Sequence, residues 1–242
     1  MLKACCWSAT AVLVLCVAGC SYYTKTPKES EAPLPTQPEK PKPDFSATFP
    51  PKESAVIYEA FQLIAAEEKF KNEDPKKDGT HEYTQAIKGM LGKWGLYQKG
   101  TMKGEDIDPK LIRQGVAEAV WGEGGQGRPP VFQGYYFRML PAQGKLAPGG
   151  AKSFQNGPHV EGWAAVIWPG KYDVTARMTY MVSHHGKVYE KDLGEDSFAL
   201  AAGMMEFNPD DTWKVVDKSR GKAAPPNVGS EPSPDQPMQP HH

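Results

Sequence analysis

The chain has 242 residues, a formal net charge of -1, 39% hydrophobic residues, 23 prolines and 24 glycines. A balance this close to neutrality carries neither a basic footprint for nucleic acid nor polyanionic character, so no nucleic-acid partner is expected. Its four cysteines, Cys5, Cys6, Cys16 and Cys20, all lie near the N-terminus, which leaves the remainder to an ordinary packed core without disulfides.

Residues 1–19 begin with Lys3, run apolar from Ala4 to Cys16 and end on small residues. That is the three-part layout of an export signal, too short to remain as a membrane-spanning helix. The closing Val17-Ala18-Gly19-Cys20 resembles a bacterial lipoprotein signal: a branched apolar residue, two small residues and a cysteine. The resemblance implies removal of residues 1–19 and acylation of Cys20 by a diacylglyceryl thioether and an amide-linked chain. Several chains give a stable anchor, because each buried CH2 contributes about 0.8 kcal/mol while a single chain binds only marginally. Ser21 resembles the residue that permits transfer to an outer membrane. The expected location is therefore the bacterial cell envelope, lipid-anchored in the outer membrane and facing the periplasm.

From residue 20 to 52 the prolines at 27, 33, 35, 38, 41 and 43 are too closely spaced for helix or sheet, which predicts an extended linker behind the lipidated N-terminus. Residues 219–242, with prolines at 225, 226, 232, 234, 237 and 240, lack the apolar content to offset their ordering entropy and are expected to form a disordered tail. Between them, residues 53–218 are of a size for one domain.

The first helix is predicted over about 53–72, with Ile57, Phe61, Ile64 and Glu68 at helical spacing and Val56, Ala60 and Leu63 widening the apolar face. Pro50 and Pro51 mark its start. A second helix is predicted from Asp108 as N-cap, with Pro109 in the first turn, Leu111, Ile112, Val116 and Ala119 on one side, and Gly122 at its end. Runs at 131–140, 160–168 and 174–183 are rich in β-branched and aromatic residues. Residues 187–191 pair with the third of them across His184-His185-Gly186. A short helix at 198–204 capped by Asp196, a turn at Asn208-Pro209-Asp210, and Trp213, Val215 and Val216 complete the order. The fold class is α+β, an N-terminal amphipathic helix packed on an antiparallel sheet.

Several stretches then resemble one family. They are Gly134-Tyr-Tyr-Phe-Arg-Met-Leu140, Ala147-Pro-Gly-Gly150, Trp163-Ala-Ala-Val-Ile-Trp-Pro169, Met178-Thr-Tyr180 and Val188-Tyr-Glu-Lys-Asp-Leu-Gly194. Asp78-Gly79, Glu82-Tyr83 and Gly95-Leu96-Tyr97 fit the same pattern, which is that of a bacterial exported family known as domain of unknown function 2950. Its members carry more sequence ahead of the first helix, where this chain has the proline-rich linker. The family implies no reaction, cofactor or catalytic residue. At the level of fold, the order of elements is also similar to the heads of type IV pilins and pseudopilins, a likeness that transmits no function. The intervening prolines and the cleavable apolar segment are inconsistent with a polymerising pilin.

Each chemical motif has a plainer reading beside it. Gly122-Glu-Gly-Gly-Gln-Gly127 matches a dinucleotide-binding pattern, but a helix precedes it and a strand follows, the reverse of what pyrophosphate binding needs. Asp74, Asp78 and Glu82 around Gly79 have the outline of a calcium loop, yet Lys76 and Lys77 stand where oxygen ligands belong. His81, His159, His184 and His185 show no zinc spacing, and Ser183-His184 is no dyad without an orienting acid. Glu190, Asp192, Glu195 and Asp196 offer carboxyls for a glycosidase, though spacing alone cannot set the required separation. Trp163, Trp168, Tyr135, Tyr136, Tyr172, Tyr180 and Tyr189 form an aromatic sheet that is either core or, on an open face, a stacking surface.

These readings assign lipid attachment to Cys20, and no catalytic, cofactor or metal residue. The expected function is a membrane-anchored envelope lipoprotein with a non-catalytic binding or structural role. The alternatives are a glycan- or peptidoglycan-binding module and a small envelope hydrolase. Expected partners are the lipid bilayer through acylated Cys20, and an envelope protein or peptidoglycan.

Overall fold

The computed structural model describes residues 51–90, 93–98, 110–123, 127–155, 162–223, 229–231 and 233–235. Cys20, the signal, residues 20–50 of the expected linker, Asp108, Pro109 and His159 lie outside them, whereas residues 51 and 52, expected as the linker's end, are helical. The protein is α+β. Its elements in chain order are α1 (Pro51–Glu73), α2 (Gln114–Glu118), β1 (Tyr135–Leu140), β2 (Ala142–Gln143), β3 (Lys152–Ser153), β4 (Ala164–Pro169), β5 (Met178–Ser183), β6 (Val188–Asp192), α3 (Ser197–Ala202), β7 (Glu206–Phe207) and β8 (Lys214–Val215). A 3-10 turn, Lys218–Arg220, follows. Among the described residues no helix is long and apolar enough to cross a membrane.

The main sheet has five antiparallel strands in the order β1-β4-β5-β6-β8, beside a small sheet ordered β3-β2-β7. Successive side chains of a strand point to opposite faces, and here both faces are covered. Tyr135, Phe137, Ile167, Tyr180 and Val182 join the core that contains Val56, Ile57, Ala60 and Leu63 of α1. Tyr136, Leu140, Val166, Trp168 and Met181 form a second core with Ala201 of α3 and Phe207 of β7. The register carries these rows across the strands, with Phe137 opposite Ile167 and Ile167 opposite Tyr180. Every residue of β4 is buried, as its continuous Ala-Ala-Val-Ile-Trp sequence requires of a strand covered on two sides.

Several boundaries differ from the sequence expectation, each for a local reason. The second helix starts at Gln114, because Leu111 N donates to Leu96 O at 3.0 Å and Lys110 bridges Tyr97. Arg113 is accordingly extended, with φ -67° and ψ 143°. The 131–140 run is broken by a tight turn in which Gln133 and Gly134 have φ of 52° and 80°. Phe132 and Tyr135 exchange two backbone bonds of 3.0 Å across it, the arrangement that positive φ at both central residues allows. Val174 is exposed in the turn before β5. Asp196 precedes α3 but makes no side-chain capping bond; the helix is held from its other end, where Arg138 Nη1 donates to Ala202 O at 2.6 Å and Nη2 to Met204 O.

Two corrections concern the tail expected to begin at residue 219. Arg220 Nη1 donates to the buried Glu190 Oε1 at 2.7 Å, and Lys222 N donates to Ser54 O at 2.9 Å, so a domain cut at Lys218 would lose both. Beyond them, Glu231 and Val131 exchange backbone hydrogen bonds of 2.5 and 2.6 Å. Residues in 229–235 therefore rest on the head, held by polar bonds that apolar periodicity does not report.

Three glutamates occupy the buried side of α1: Glu53, Glu59 and Glu67 are 4%, 2% and 0% exposed. Burial disfavours the charged carboxylate and raises its pKa. For Glu59 burial outweighs the Arg113 guanidinium, whose Nε lies 2.8 Å from Oε1, and pushes the pKa up to about 7. Glu67 accepts from Thr84 N at 3.0 Å through Oε2, while its Oε1 has no partner and burial pushes its pKa well up. Glu53 shifts upward for the same cause.

The sign of the pH dependence follows. A folded-state pKa above the unfolded value means that the folded protein keeps the proton longer, so this contribution is full below the unfolded pKa and declines as pH rises through the folded one. For Glu59 the window runs from 4.5 to about 7, and its integrated effect is roughly 3 kcal/mol. Urea unfolding at intervals across this window should show Glu59→Gln with a flatter dependence of stability on pH than the unaltered protein. Identical slopes would contradict the shift.

Candidate functional site

The residues singled out by sequence are largely engaged in structural contacts. Asp74 Oδ2 accepts from Gly79 N at 2.8 Å, Asp78 Oδ1 accepts from Thr80 N at 2.9 Å, and Glu82 is ion-paired with Lys76. The three acids thus close a turn, each through a different partner. Glu190 is buried against Arg220, and Asp192 accepts from Gly194 N at 2.8 Å and from Tyr172 Oη at 3.2 Å. Neither lines either of the two clefts described below.

The histidines also serve packing. His184 and His185 pack against each other with ring centroids 4.0 Å apart and planes tilted by 39°. His184 Nδ1 lies 3.1 Å from Trp163 O, and His185 Nε2 lies 3.2 Å from Gln143 Oε1. Burial pushes both imidazoles down, favouring the neutral form. His81 Nδ1 sits 2.9 Å from Lys71 O, and Ser183 Oγ accepts from His185 N at 3.3 Å. Of the sheet aromatics, Trp163, Trp168, Tyr135, Tyr136 and Tyr180 are fully buried, so the sheet offers them no open face.

Two concave surfaces lie at the β1 edge. There residues 119–121 act as an extra strand: Phe137 N donates to Ala119 O at 3.1 Å and Trp121 N to Phe137 O at 2.8 Å. This fixes the Trp121 ring edge-on against Tyr136 and Phe198, at centroid separations of 5.2 and 5.1 Å. Gly122 follows with φ of 83°, a left-handed turn that favours glycine, and delivers Glu123 to Lys88 N, which donates to Oε2 at 3.1 Å.

Two clefts share Trp121, Gly122 and Glu123. One, of about 380 Å³, is also bounded by Glu118, Arg128 and Pro130. The other, of about 630 Å³, is bounded by Gln85, Lys93, Arg138 and Gln155. Burial pushes the Glu123 pKa up, against the Lys88 amide and the Lys93 charge. The larger cleft therefore combines an indole, two amides, two cations and a carboxyl whose pKa burial raises. Such a set donates and accepts hydrogen bonds beside the apolar Met139, Leu140 and Pro141 that also line the cleft, the composition of an orienting site for a polar ligand.

The sequence singles out neither Trp121 nor, beyond its place in the Gly122–Gly127 motif, Glu123. Their only signal is their place at the junction of α2 and a glycine-rich loop, which aromatic content in the strands overshadowed. Arg138 was visible only as part of the Tyr-Phe-Arg-Met run; that it turns back under α3 follows from the pleat, which puts it on the same face as Tyr136 and Leu140.

The model of a family described as proteins of unknown function, DUF2950, matches residues 51–216. The match runs from the first residue of α1 to just beyond β8 and contains both clefts. No curated protein and no solved structure matches the chain. Since the matched span is well over half of the 242 residues, the chain belongs to the DUF2950 family.

Proposed function

We propose that this DUF2950 protein is a bacterial envelope lipoprotein, anchored in the outer membrane through acylated Cys20, whose head binds a partner rather than catalysing a reaction. The proline-rich linker holds the head away from the bilayer, and the head itself is pilin-head-like, a long helix laid on an antiparallel sheet. The observation that carries a binding role is the pair of clefts meeting at Trp121 and Glu123. The anchor rests on Val17-Ala18-Gly19-Cys20 and Ser21.

A glycan or peptidoglycan ligand is the second reading, favoured by the half-buried Trp121 ring flanked by Gln85, Gln155 and Glu123 in the larger cleft. Sugar rings present an apolar face to an aromatic ring and hydroxyls to amides and carboxyls. A small hydrolase would draw on Glu118 and Glu123 in the smaller cleft. Against it, the Glu118 oxygens accept from Gln114 Nε2 at 2.7 Å and Ser230 Oγ at 2.5 Å, which occupies them structurally.

Intact-mass analysis of the mature protein tests the anchor: it should begin at an acylated Cys20, and Cys20→Ala should abolish the lipid. An unmodified N-terminus beyond residue 20 would overturn this. Binding to purified peptidoglycan sacculi tests the second reading. Trp121→Ala should weaken sedimentation with sacculi by about tenfold, or ~1.4 kcal/mol, with the melting transition still cooperative. Binding unchanged in that variant would remove the cleft from glycan recognition, and soluble sugar released from the sacculi would favour the hydrolase instead.

A further inference from the structure

The C-terminal segment meets the head through an unusual density of specific contacts for a proline-rich sequence. Glu231 pairs its backbone in both directions with Val131, at 2.5 and 2.6 Å, which is strand addition by a short peptide. Its carboxylate takes a salt bridge from Lys52 Nζ at 3.0 Å. Ser230 Oγ donates to Glu118 Oε2 at 2.5 Å. Ser233 is 2% exposed, its Oγ 2.7 Å from the Tyr136 hydroxyl. Asp235 pairs with Arg128, whose guanidinium carbon also lies 4.5 Å from the centre of the Phe198 ring.

The head is shaped to admit this segment. A Cβ on Gly115 would come within 2.8 Å of the Phe132 ring and 3.2 Å of the Gly229 and Ser230 backbone. A Cβ on Gly170 would lie 3.0 Å from Val131 and 3.2 Å from Pro234. Neither glycine has the left-handed φ that would itself require glycine, and Gly115 sits inside α2, where glycine costs about 1 kcal/mol relative to alanine. Close approach is the reason left for both, and in each case the C-terminal segment is one of the two surfaces brought close.

We propose that α2, the Val131–Phe132 backbone and the Tyr136 ring form a peptide-recognition groove for an acidic segment bearing serine and proline, and that residues 229–231 and 233–235 of this chain occupy it intramolecularly. Recognition has three parts. The Val131 backbone supplies the strand pairing, Lys52 and Arg128 receive the acidic groups at either end, and the Tyr136 hydroxyl reads the serine between them. Glu118 and Arg128, which the segment contacts, also bound the smaller cleft. The proposal is independent of what the larger cleft binds.

A fluorescein-labelled peptide of residues 227–238, titrated into the full mature chain and into a chain ending at Val228, tests this by fluorescence anisotropy. The shortened chain should bind it in roughly the micromolar range. The full chain should bind about a thousandfold more weakly, because the resident segment, separated from Lys222 by six residues, competes at an effective concentration on the order of millimolar. A peptide with Glu231→Lys and Asp235→Lys should lose binding to the shortened chain. Equal binding by both chains, or none by a shortened chain that melts cooperatively, overturns the proposal. Should the shortened chain not fold, the full chain carrying Glu231→Lys and Asp235→Lys replaces it: it should bind the unaltered peptide and exchange the Val131 amide hydrogen about tenfold faster, and unchanged Val131 protection overturns the proposal. A concentration-dependent dimer of the full chain that vanishes on shortening would make a second copy the source of the segment and overturn the intramolecular arrangement.

Discussion

Burial of β4 on both faces constrains everything else in the head. A strand reading Ala-Ala-Val-Ile-Trp-Pro with no exposed position needs a hydrogen-bonded strand on each side and an apolar layer above and below. β1 and β5 supply the first. α1 covers one face, and α3 with β7 covers the other. Six residues of helix are a small cover, since so short a helix has little stability of its own. Arg138 compensates by rising from β1, beside the face it must help to close, and donating to the carbonyls at the end of α3. The same two-sided covering converts the strand aromatics into core, and two clefts lie at the β1 edge, where the chain leaves the sheet at Gly122.

The larger cover, α1, carries a cost that its apolar face alone would not. Glu53, Glu59 and Glu67 all point inward, and a buried carboxylate without strong partners is neutralised by an upward pKa shift rather than kept charged. Each has a different environment. Glu59 has the Arg113 guanidinium, Glu67 has a single amide from Thr84, and Glu53 faces the like charge of Glu190 as well as the Arg220 cation. The partners come from three separate regions of the chain, so the acids tie α1 to the segment before α2, to the loop after α1 and, through the Arg177 and Met178 backbone that bonds Glu53, to the start of β5. They contribute geometry more than energy, since a buried ion pair offers little net stability once desolvation is included.

Strand pattern was legible because period-2 alternation and continuous apolar runs report burial directly. Thus β4, β5 and β6 fall within or beside the runs expected for them. The second helix was not, because Pro109 and Asp108 are local signals while the pairing of Leu111 with Leu96 is made by residues 15 positions earlier, and tertiary hydrogen bonds override a weak local preference. Asp196 shows the converse: a residue of the right type stands at the right position without making the bond. Trp121 and Glu123 escaped notice because nothing in their own neighbourhood distinguishes a cleft wall from a loop. The segment at 229–235 was concealed by composition, since its hold on the head is polar and backbone-mediated.

The family match and the folded unit do not end at the same residue, and the difference has a physical basis. Residues 51–216 contain both cores and both clefts. Glu190 lies within that span, 8% exposed, yet its cation is Arg220, beyond it. Cutting at 216 would leave a carboxylate nearly buried without its ion-pair partner, which costs more than the pair contributes when intact. Val131 and Glu118 likewise lie inside the span but bond to Glu231 and Ser230 outside it. The last element on which the fold depends is therefore the turn at Lys218–Arg220, and the contacts after it add a layer of recognition to a head whose packing is already complete.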